Sequence, residues 1–329
     1  MTDHNGPRGP SRREFLALGA GAFVVSTLGL GMARRRIVRR TIPVMGTMAE
    51  IVVVTRDERA GHAAITAAAS ELHAVDRLMS RFRVDSDIGR ANASAYADAV
   101  PVTAATAAVL AQALHWAVRT DGRFDPALGR VSELWDVTRR NAPPGPADIR
   151  RFAGRSLFRR IELDRFGGSA VVRFGDPDVA VDLGGIAKGY GVDRAVAALR
   201  EWGITAGLVN AGGDLYALGT SLDDDGWSVG IRSSEDPSRI AGSIMLRDRA
   251  VATSGDYMQF FDHQGRRYHH LLDPVTGAPR VTSVHSLTIA ANTCMSADAA
   301  ATAVFGHTAA TAASLLRGAE GDAEIVRLA

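Results

Sequence analysis

Two glycines followed by a lysine could form an anion-binding turn. From Val181 to Tyr190 a predicted strand passes through Gly184 and Gly185 into a helical pattern. Backbone N–H groups at the start of a helix favour phosphate. Lys188 is the single lysine among 38 Lys and Arg residues, which is either chance in an Arg-rich chain or a sign that a compact ammonium group is needed there. Asp182 could accept from a sugar or base or lie near a cation, although a strand–Gly-Gly–helix unit can also be simple tight packing.

A second pair of residues has the spacing of a metal site. Asp298 and Thr302 lie four positions apart in an Ala-rich segment, so both side chains would share one face of a helix. Carboxylate and hydroxyl oxygens suit Mg²⁺, which takes few protein ligands and keeps the rest for water or phosphate. The other interpretation is that Asp298 caps the helix and Thr302 bonds back to a carbonyl.

A histidine could supply a base close by. Tyr268 to Gly277 contains Asp-Pro and Thr-Gly pairs, which predict a turn after His269 and His270. Histidine is the side chain best suited to general-base work at neutral pH, although a lone histidine is more often structural. Adjacent residues of an extended segment point in opposite directions, so at most one of the two would face a given site.

Two further stretches could bind parts of a ligand, and both are equally ordinary as loops. Val251 to Tyr257 is rich in hydroxyl groups and is predicted to be a polar loop that could bond phosphate or ribose. Gly122 to Pro126 places the aromatic ring of Phe124 where it could stack on a flat ring, at the exit from a helix.

The first forty residues resemble an export signal. Ser11 to Leu16 contains paired arginines and precedes an uncharged stretch from Phe15 to Ala33, which is typical of a twin-arginine signal. Gly31-Met32-Ala33 is a small-x-small cleavage site. An uncleaved membrane anchor is the alternative, since basic residues follow at once. The prediction is export to the cell envelope, with membrane contact only through this segment if it is retained.

Composition limits the class of protein. The chain has 329 residues, 46% of them hydrophobic and 22% charged, with a formal charge of +2, which excludes disorder and a multi-spanning membrane protein. One cysteine, Cys294, excludes an internal disulfide and a cysteine-based zinc site. With the leader removed the body is close to neutral, so no nucleic-acid partner is expected.

The elements that would position these residues alternate between strands and helices. Helices are predicted at 61–79, 103–119, 186–202 and 297–305, the third closed by Gly203. Strands are predicted at 50–55, 160–163, 170–174, 179–183, 206–210, 214–218, 227–232, 243–246 and 284–290. Several short neighbouring strands predict an α+β fold, with mixed or antiparallel sheets flanked by helices. The Pro/Gly loop at 142–146 is the one plausible internal boundary.

Eight motifs follow one another in an order that chance does not explain: Met45-Gly46-Thr47, Met79 to Phe82, Gly122 to Pro126, Asp182 to Tyr190, Asn210 to Asp214, Ala252 to Tyr257, His270 to Gly277 and Ala297 to Ala299. Over residues 41–329 the chain resembles the ApbE-type family of FAD:protein FMN transferases. The resemblance implies one catalytic domain over 41–329, preceded by a signal segment and short linker over 1–40.

What the resemblance implies about function is specific. Such proteins are exported, bind FAD and Mg²⁺, and move the FMN half of FAD onto a Thr or Ser hydroxyl of an exported partner, releasing AMP. The acceptor motif is Asp-Gly-x-Ser/Thr-Gly-Ala-Ser/Thr. The alternative is an envelope FAD-binding protein or FAD pyrophosphatase without a protein acceptor, because water could replace the hydroxyl.

Matched motif by motif, the resemblance also assigns residues. His270 would be the base and Lys188 would stabilise developing charge. Asp298, Thr302 and the carbonyl of Gly185 would bind Mg²⁺, although Mn²⁺ is equally compatible with such ligands. FAD would contact Met45, Phe82, Arg123, Phe124, Asp125, Asp182, Lys188, His270 and Leu271. Two departures affect the FAD contacts: Ala127 stands where relatives often have Thr or Ser, and Arg123 stands where a small residue is usual.

Overall fold

The computed structural model describes residues 23–25, 35–166, 169–222, 225–236, 238–317 and 322–329. The paired arginines and the cleavage site of the predicted leader lie outside these ranges. The helices are α1 Glu58–Met79, α2 Asp87–Ser94, α3 Ala104–Arg119, α4 Gly129–Trp135, α5 Pro146–Arg150, α6 Ala187–Glu201, α7 Cys294–Val304 and α8 Ala309–Leu316.

The strands of the described residues are short and numerous. They are β1 Phe23–Val25, β2 Arg36–Val44, β3 Thr47–Thr55, β4 Val100–Val102, β5 Ile161–Phe166, β6 Ser169–Phe174, β7 Gly207–Ala211, β8 Asp214–Leu218, β9 Trp227–Arg232, β10 Ile240–Leu246, β11 Arg249–Gly255, β12 Phe260–His263, β13 Arg266–His269, β14 Leu272–Asp273, β15 Ala278–Pro279, β16 Ser286–Ala291 and β17 Glu324–Leu328.

A seven-stranded sheet organises the molecule, in the order β17-β16-β11-β8-β7-β3-β2. Its neighbouring strands pair antiparallel. Helices α1, α6 and α7 pack on one another and against this sheet. A second apolar cluster joins side chains of β3, β7, β8 and β11 to those of β9. Strands β7, β8 and β16 are therefore buried at every position, so apolar runs mark them in the sequence.

The predicted α+β class with antiparallel sheets and flanking helices is confirmed. Local chemistry explains the helix ends. The Asp57 carboxylate accepts from the backbone N–H of Arg59 and of Ala60 at the start of α1. Gly203 has φ of +74° just after α6, a conformation that glycine adopts without strain.

Two sequence predictions are wrong. Residues 179–183 are buried except for the partly exposed Asp182, and they form no ladder. Ala180 makes an isolated parallel bridge with Leu128. Their apolar pattern indicates burial, but a segment that packs between other elements without joining a sheet has the same pattern. Residues 251–257 are not a polar loop, since 251–255 belong to β11 in the central sheet. The hydroxyl of Thr253, for example, is hydrogen-bonded to that of Thr288 on the neighbouring strand β16.

The sheet begins before the predicted start of the domain. Strand β2 runs from Arg36 and pairs with β3 along its whole length, so part of the predicted linker is sheet. Phe23–Val25, within the predicted leader, pairs antiparallel with β9. Among the helices of the described residues, none has both the length and the apolar character needed to cross a membrane.

Candidate active site

A cavity of about 1070 Å³ lies between the diglycine turn, α7 and the loops that follow α3 and β13. All twelve residues that the sequence analysis singled out for binding or catalysis line it: Met45, Phe82, Arg123, Phe124, Asp125, Asp182, Gly185, Lys188, His270, Leu271, Asp298 and Thr302. Segments far apart in sequence thus meet at one place, as a shared site requires. The volume suits a large organic ligand.

The diglycine turn is pressed against α7. A Cβ atom on Gly185 would lie 2.9 Å from both Cγ2 and Oγ1 of Thr302. Farther along, a Cβ atom on Gly189 would lie 2.3 Å from the carbonyl oxygen of Cys294. Only glycine permits these approaches, so α6 and α7 meet closely enough to bring Lys188 beside Asp298.

Asp298 lies inside α7 and does not cap it. The helix begins at Cys294, and its cap is Thr293, whose hydroxyl accepts from the N–H of Ser296. The interpretation of Asp298 as a capping residue is therefore wrong. Its carboxylate is buried, and Oδ2 accepts from the N–H of Gly189 at 3.1 Å.

An acidic pair holds the ammonium group of Lys188. Its Nζ donates to Asp214 and lies 3.5 Å from Oδ2 of Asp298. Burial opposes the charge of Lys188, but the two carboxylates outweigh burial and raise the pKa of Lys188 above its ordinary value. Burial first, and then the charge of Asp214, raise the pKa of Asp298 to about 7. Lys188 is a permanent cation here and not a base.

The oxygens beside the turn fit a small hard cation. Asp298 supplies a carboxylate, Thr302 a hydroxyl, and the turn at Gly185 a backbone carbonyl, which are ligand types that Mg²⁺ accepts. A methyl group on Gly185 would lie 2.9 Å from the Thr302 hydroxyl oxygen, so any side chain at this position would crowd that oxygen. Among the described residues no cluster of three His, Cys, Asp or Glu side chains could hold a metal. A cation would therefore need the hydroxyl and carbonyl oxygens.

His270 is held in the tautomer of a base. Its Nδ1 lies 3.3 Å from the carbonyl oxygen of Gln259. A carbonyl can only accept, so Nδ1 carries the hydrogen and Nε2 keeps a lone pair. Burial lowers the pKa of His270 to about 4, which keeps the ring neutral at pH 7.

The neighbouring histidine has a structural role. His269 is buried, and its Nδ1 accepts from the N–H of Leu271 while Nε2 donates to the carbonyl of Arg280. Burial lowers its pKa as well. One of the two adjacent histidines lines the cavity, His270, as the alternation of an extended segment predicts.

The other predicted FAD contacts differ in exposure. Phe82 lies at the rim of the cavity, is 77% exposed, and stacks under the guanidinium of Arg81 at 4.1 Å. Asp182 does lie near a cation, since Oδ2 is 2.9 Å from Nε of Arg81, and Oδ1 accepts from the N–H of Gly184. Met45, with φ of 53°, turns the β2–β3 hairpin toward the cavity.

The loop after α3 is mostly buried. Phe124 is 3% exposed and belongs to the hydrophobic core, so its ring serves packing first. Burial raises the pKa of Asp125 to about 6, opposed by the N–H of Ala127, which donates to Oδ1.

Three contributors were not assigned from the sequence. Asp214 belongs to one of the ordered motifs, but its partner Lys188 could not be read from spacing. Arg81 also lies in a motif, and its pairing with Asp182 joins segments a hundred residues apart. The carbonyl of Gln259 leaves no trace in the residue type, because any residue would provide it.

The fold and the sequence have known relatives. The model of the ApbE family matches residues 45–326. The FAD:protein FMN transferase of Treponema pallidum (strain Nichols) is 35% identical over 289 residues, which cover 84% of this chain and 80% of that protein. The FAD:protein FMN transferase of Salmonella typhimurium is 29% identical over 258 residues, covering 77% and 74%.

Solved structures agree with the sequence relatives. The crystal structure of the ApbE protein from Thermotoga maritima matches with a TM-score of 0.78 at 29% identity, covering 89% of this chain and 94% of that one. The flavin transferase ApbE from Vibrio cholerae matches with a TM-score of 0.75 at 27% identity, covering 88% and 93%. The chain therefore belongs to the ApbE family.

Proposed function

We propose that this enzyme transfers the FMN moiety of FAD onto a Thr or Ser hydroxyl of an exported acceptor protein, with Mg²⁺ as cofactor and AMP as leaving group. One observation carries the proposal: the diglycine turn, a permanent cation at Lys188, a neutral histidine at His270 and the oxygens of Asp298 and Thr302 line one cavity. These are the groups that transfer of a phosphoryl-linked moiety needs.

The reacting bonds define the roles of the residues. The acceptor oxygen forms a bond to the phosphorus on the FMN side of the diphosphate, and the bond from that phosphorus to the bridging oxygen breaks, releasing AMP. The hydroxyl proton goes to Nε2 of His270, the ring atom that the Gln259 contact leaves with its lone pair. Lys188 stabilises negative charge as it develops, because Asp214 and Asp298 keep it protonated.

Asp298, Thr302 and the carbonyl of Gly185 would hold the Mg²⁺. When bound, the ion neutralises charge on the diphosphate oxygens. Lys188, whose Nζ already lies 3.5 Å from Asp298, would then be shared between the metal site and the diphosphate.

We also propose that the protein acts outside the cytoplasm. The support is the sequence alone: paired arginines at Arg12 and Arg13 before an apolar stretch. The expected acceptor carries the Asp-Gly-x-Ser/Thr-Gly-Ala-Ser/Thr motif. Cell fractionation of the chain and of its Arg12→Lys/Arg13→Lys variant tests this: the variant should accumulate inside the cell, and equal export of both would contradict a twin-arginine route.

A mass measurement tests the reaction. The protein is incubated with FAD, Mg²⁺ and an acceptor domain that carries the motif, with an acceptor whose last hydroxyl residue is replaced by alanine as the control. Addition of FMN minus water to the first acceptor only is the expected result. Free FMN and AMP with no labelled acceptor would instead indicate an FAD pyrophosphatase, and no consumption of FAD would indicate a binding protein.

A further inference from the structure

Arg280 makes an unusual set of contacts for a charged side chain. Its Nε donates to the carbonyl of Leu272 at 3.2 Å, and Nη2 donates to the carbonyl of Arg123 at 2.6 Å. Its Nη1 donates to the carbonyls of Ala303, at 3.3 Å, and Phe305. Four of its five N–H groups are thus bound to main-chain oxygens.

The guanidinium has no ion-pair partner among the described residues. Burial lowers the pKa of Arg280 to about 10, and the nearest charges that affect it are Asp273 and Arg123. The group is still charged at pH 7. A partly buried cation whose hydrogen bonds all go to carbonyls is held by geometry and not by charge neutralisation, a role that suits the planar guanidinium of arginine.

The four acceptors belong to three different segments of the chain. The carbonyl of Arg123 belongs to the loop after α3 (residues 121–127), which contains predicted FAD contacts and is called the FAD loop below. That of Leu272 lies two residues beyond His270. Those of Ala303 and Phe305 lie at the carboxyl end of α7, the helix that carries the predicted metal ligands, where a cation is favoured by the helix dipole.

The main chain of Arg280 completes the same connection. Its N–H donates to the carbonyl of Leu271 at 3.0 Å, and its own carbonyl accepts from Nε2 of His269 at 3.0 Å. These two hydrogen bonds join the end of the β14–β15 hairpin to the segment that contains His269 and His270, one on each side of His270. Since His270 is the next residue, a shift of this segment would move the ring.

We propose that Arg280 is a positioning residue that locks the FAD loop, the His270 segment and the end of α7 into one arrangement. Arg280 lines the cavity, but its hydrogen bonds go to main-chain carbonyls of these three segments, and it acts through them. The kinetic part of this inference rests on the proposed function, whereas the FAD-binding and exchange parts do not.

Three variants separate this role from simple stabilisation. Arg280→Lys keeps the charge but has three N–H donors, which cannot reach four carbonyls spread over three segments. Arg280→Ala removes the group and leaves space for free guanidinium. Arg165→Ala is the matched control, because Arg165 also donates to a main-chain carbonyl, that of Ala107, and it lies on β5, outside the cavity lining.

The first measurement is FAD affinity without metal, from flavin fluorescence per folded molecule, with amide hydrogen exchange on the same samples. In Arg280→Lys the dissociation constant should rise about tenfold, the loss expected for one charge-assisted bond. Exchange should increase together in 121–127, 269–273 and 303–306. Unchanged affinity, or exchange increased in one segment alone, would overturn the proposal.

The second measurement is steady-state transfer, with guanidinium added to Arg280→Ala against matched NaCl. Both a lower kcat and a higher KM for FAD are expected, with partial recovery by guanidinium and none in Arg165→Ala. A variant with a lower melting temperature but wild-type kcat and KM would show a merely structural role, and a change in KM alone would show a direct FAD contact. If the wild type itself transfers no FMN, the proposed function fails while the binding and exchange results still decide the role of Arg280.

Discussion

The predicted cation site can be closed by adding one methyl group. In Gly185→Ala the new Cβ would lie 2.9 Å from Cγ2 and Oγ1 and 3.2 Å from Cβ of Thr302. Real Cβ atoms do not approach heavy atoms so closely, so either the turn or the threonine must move. Gly185 does not have a positive φ, so alanine meets no backbone strain there, and the effect comes from contact alone.

The magnitude follows from the cost of overpacking. Adding a methyl group to a tightly packed position costs about 1 to 3 kcal/mol. Thr302 can relieve the contact by rotating about its Cα–Cβ bond, which displaces its hydroxyl from its present position beside Gly185. The cost then falls on the metal-bound state, and the dissociation constant for Mg²⁺ should rise about 5- to 150-fold.

Calorimetric titration of Mg²⁺ in the presence of FAD measures this effect. Gly175→Ala is the control, since its nearest atom would be the carbonyl oxygen of Arg160 at an ordinary 3.8 Å. The double variant Gly185→Ala/Thr302→Ser removes the crowded Cγ2 while keeping the hydroxyl, and should recover part of the affinity. Wild-type Mg²⁺ affinity in Gly185→Ala would refute the reasoning.

Three further predictions concern charge. Lys188→Arg should lower kcat/KM for FAD about tenfold or more, because a planar fork cannot occupy the space between Asp214 and Asp298; unchanged kinetics would mean that any cation serves. His270→Ala should keep FAD binding and lose about 10²- to 10⁴-fold in kcat. In the wild type at saturating Mg²⁺, kcat should fall only as pH approaches 4, because the lowered pKa of His270 keeps its ring neutral above that value. A fall in kcat with a midpoint near pH 6.5 would contradict this. Apparent Mg²⁺ affinity, measured by titration at several pH values, should weaken as pH falls below about 7, where a proton competes for the Asp298 carboxylate. Affinity that stays constant between pH 5 and 8 would contradict this prediction.

Much of the arrangement follows from local pattern. Periodicity located α1, α3 and α6 because each has one buried face, as with Ile65, Leu72 and Val75 in α1. Spacing placed Asp298 and Thr302 on one face of a helix, and both line the cavity. The two glycines before Lys188 were compatible with an anion-binding turn or with tight packing, and the structure does pack Gly185 closely against Thr302.

The rest depends on contacts between distant segments. Residues 179–183 are as apolar as a strand, yet strand pairing depends on a neighbour with free backbone groups, which local sequence does not reveal. The partner of Lys188 became evident only when β8 came to lie beside α6. Arg280 gave no sequence signal, because its acceptors are carbonyls that every residue possesses.

The position of the bound metal is the most direct test of the account. Crystals grown with FAD and Mn²⁺, which can replace Mg²⁺ at oxygen sites and scatters anomalously, would locate the ion. We expect one strong anomalous peak in the cavity, about 2.1 Å from the Asp298 carboxylate, the Thr302 hydroxyl and the Gly185 carbonyl, and in contact with the FAD diphosphate. A peak elsewhere in the cavity, or FAD bound with its diphosphate away from the diglycine turn, would contradict the proposed site.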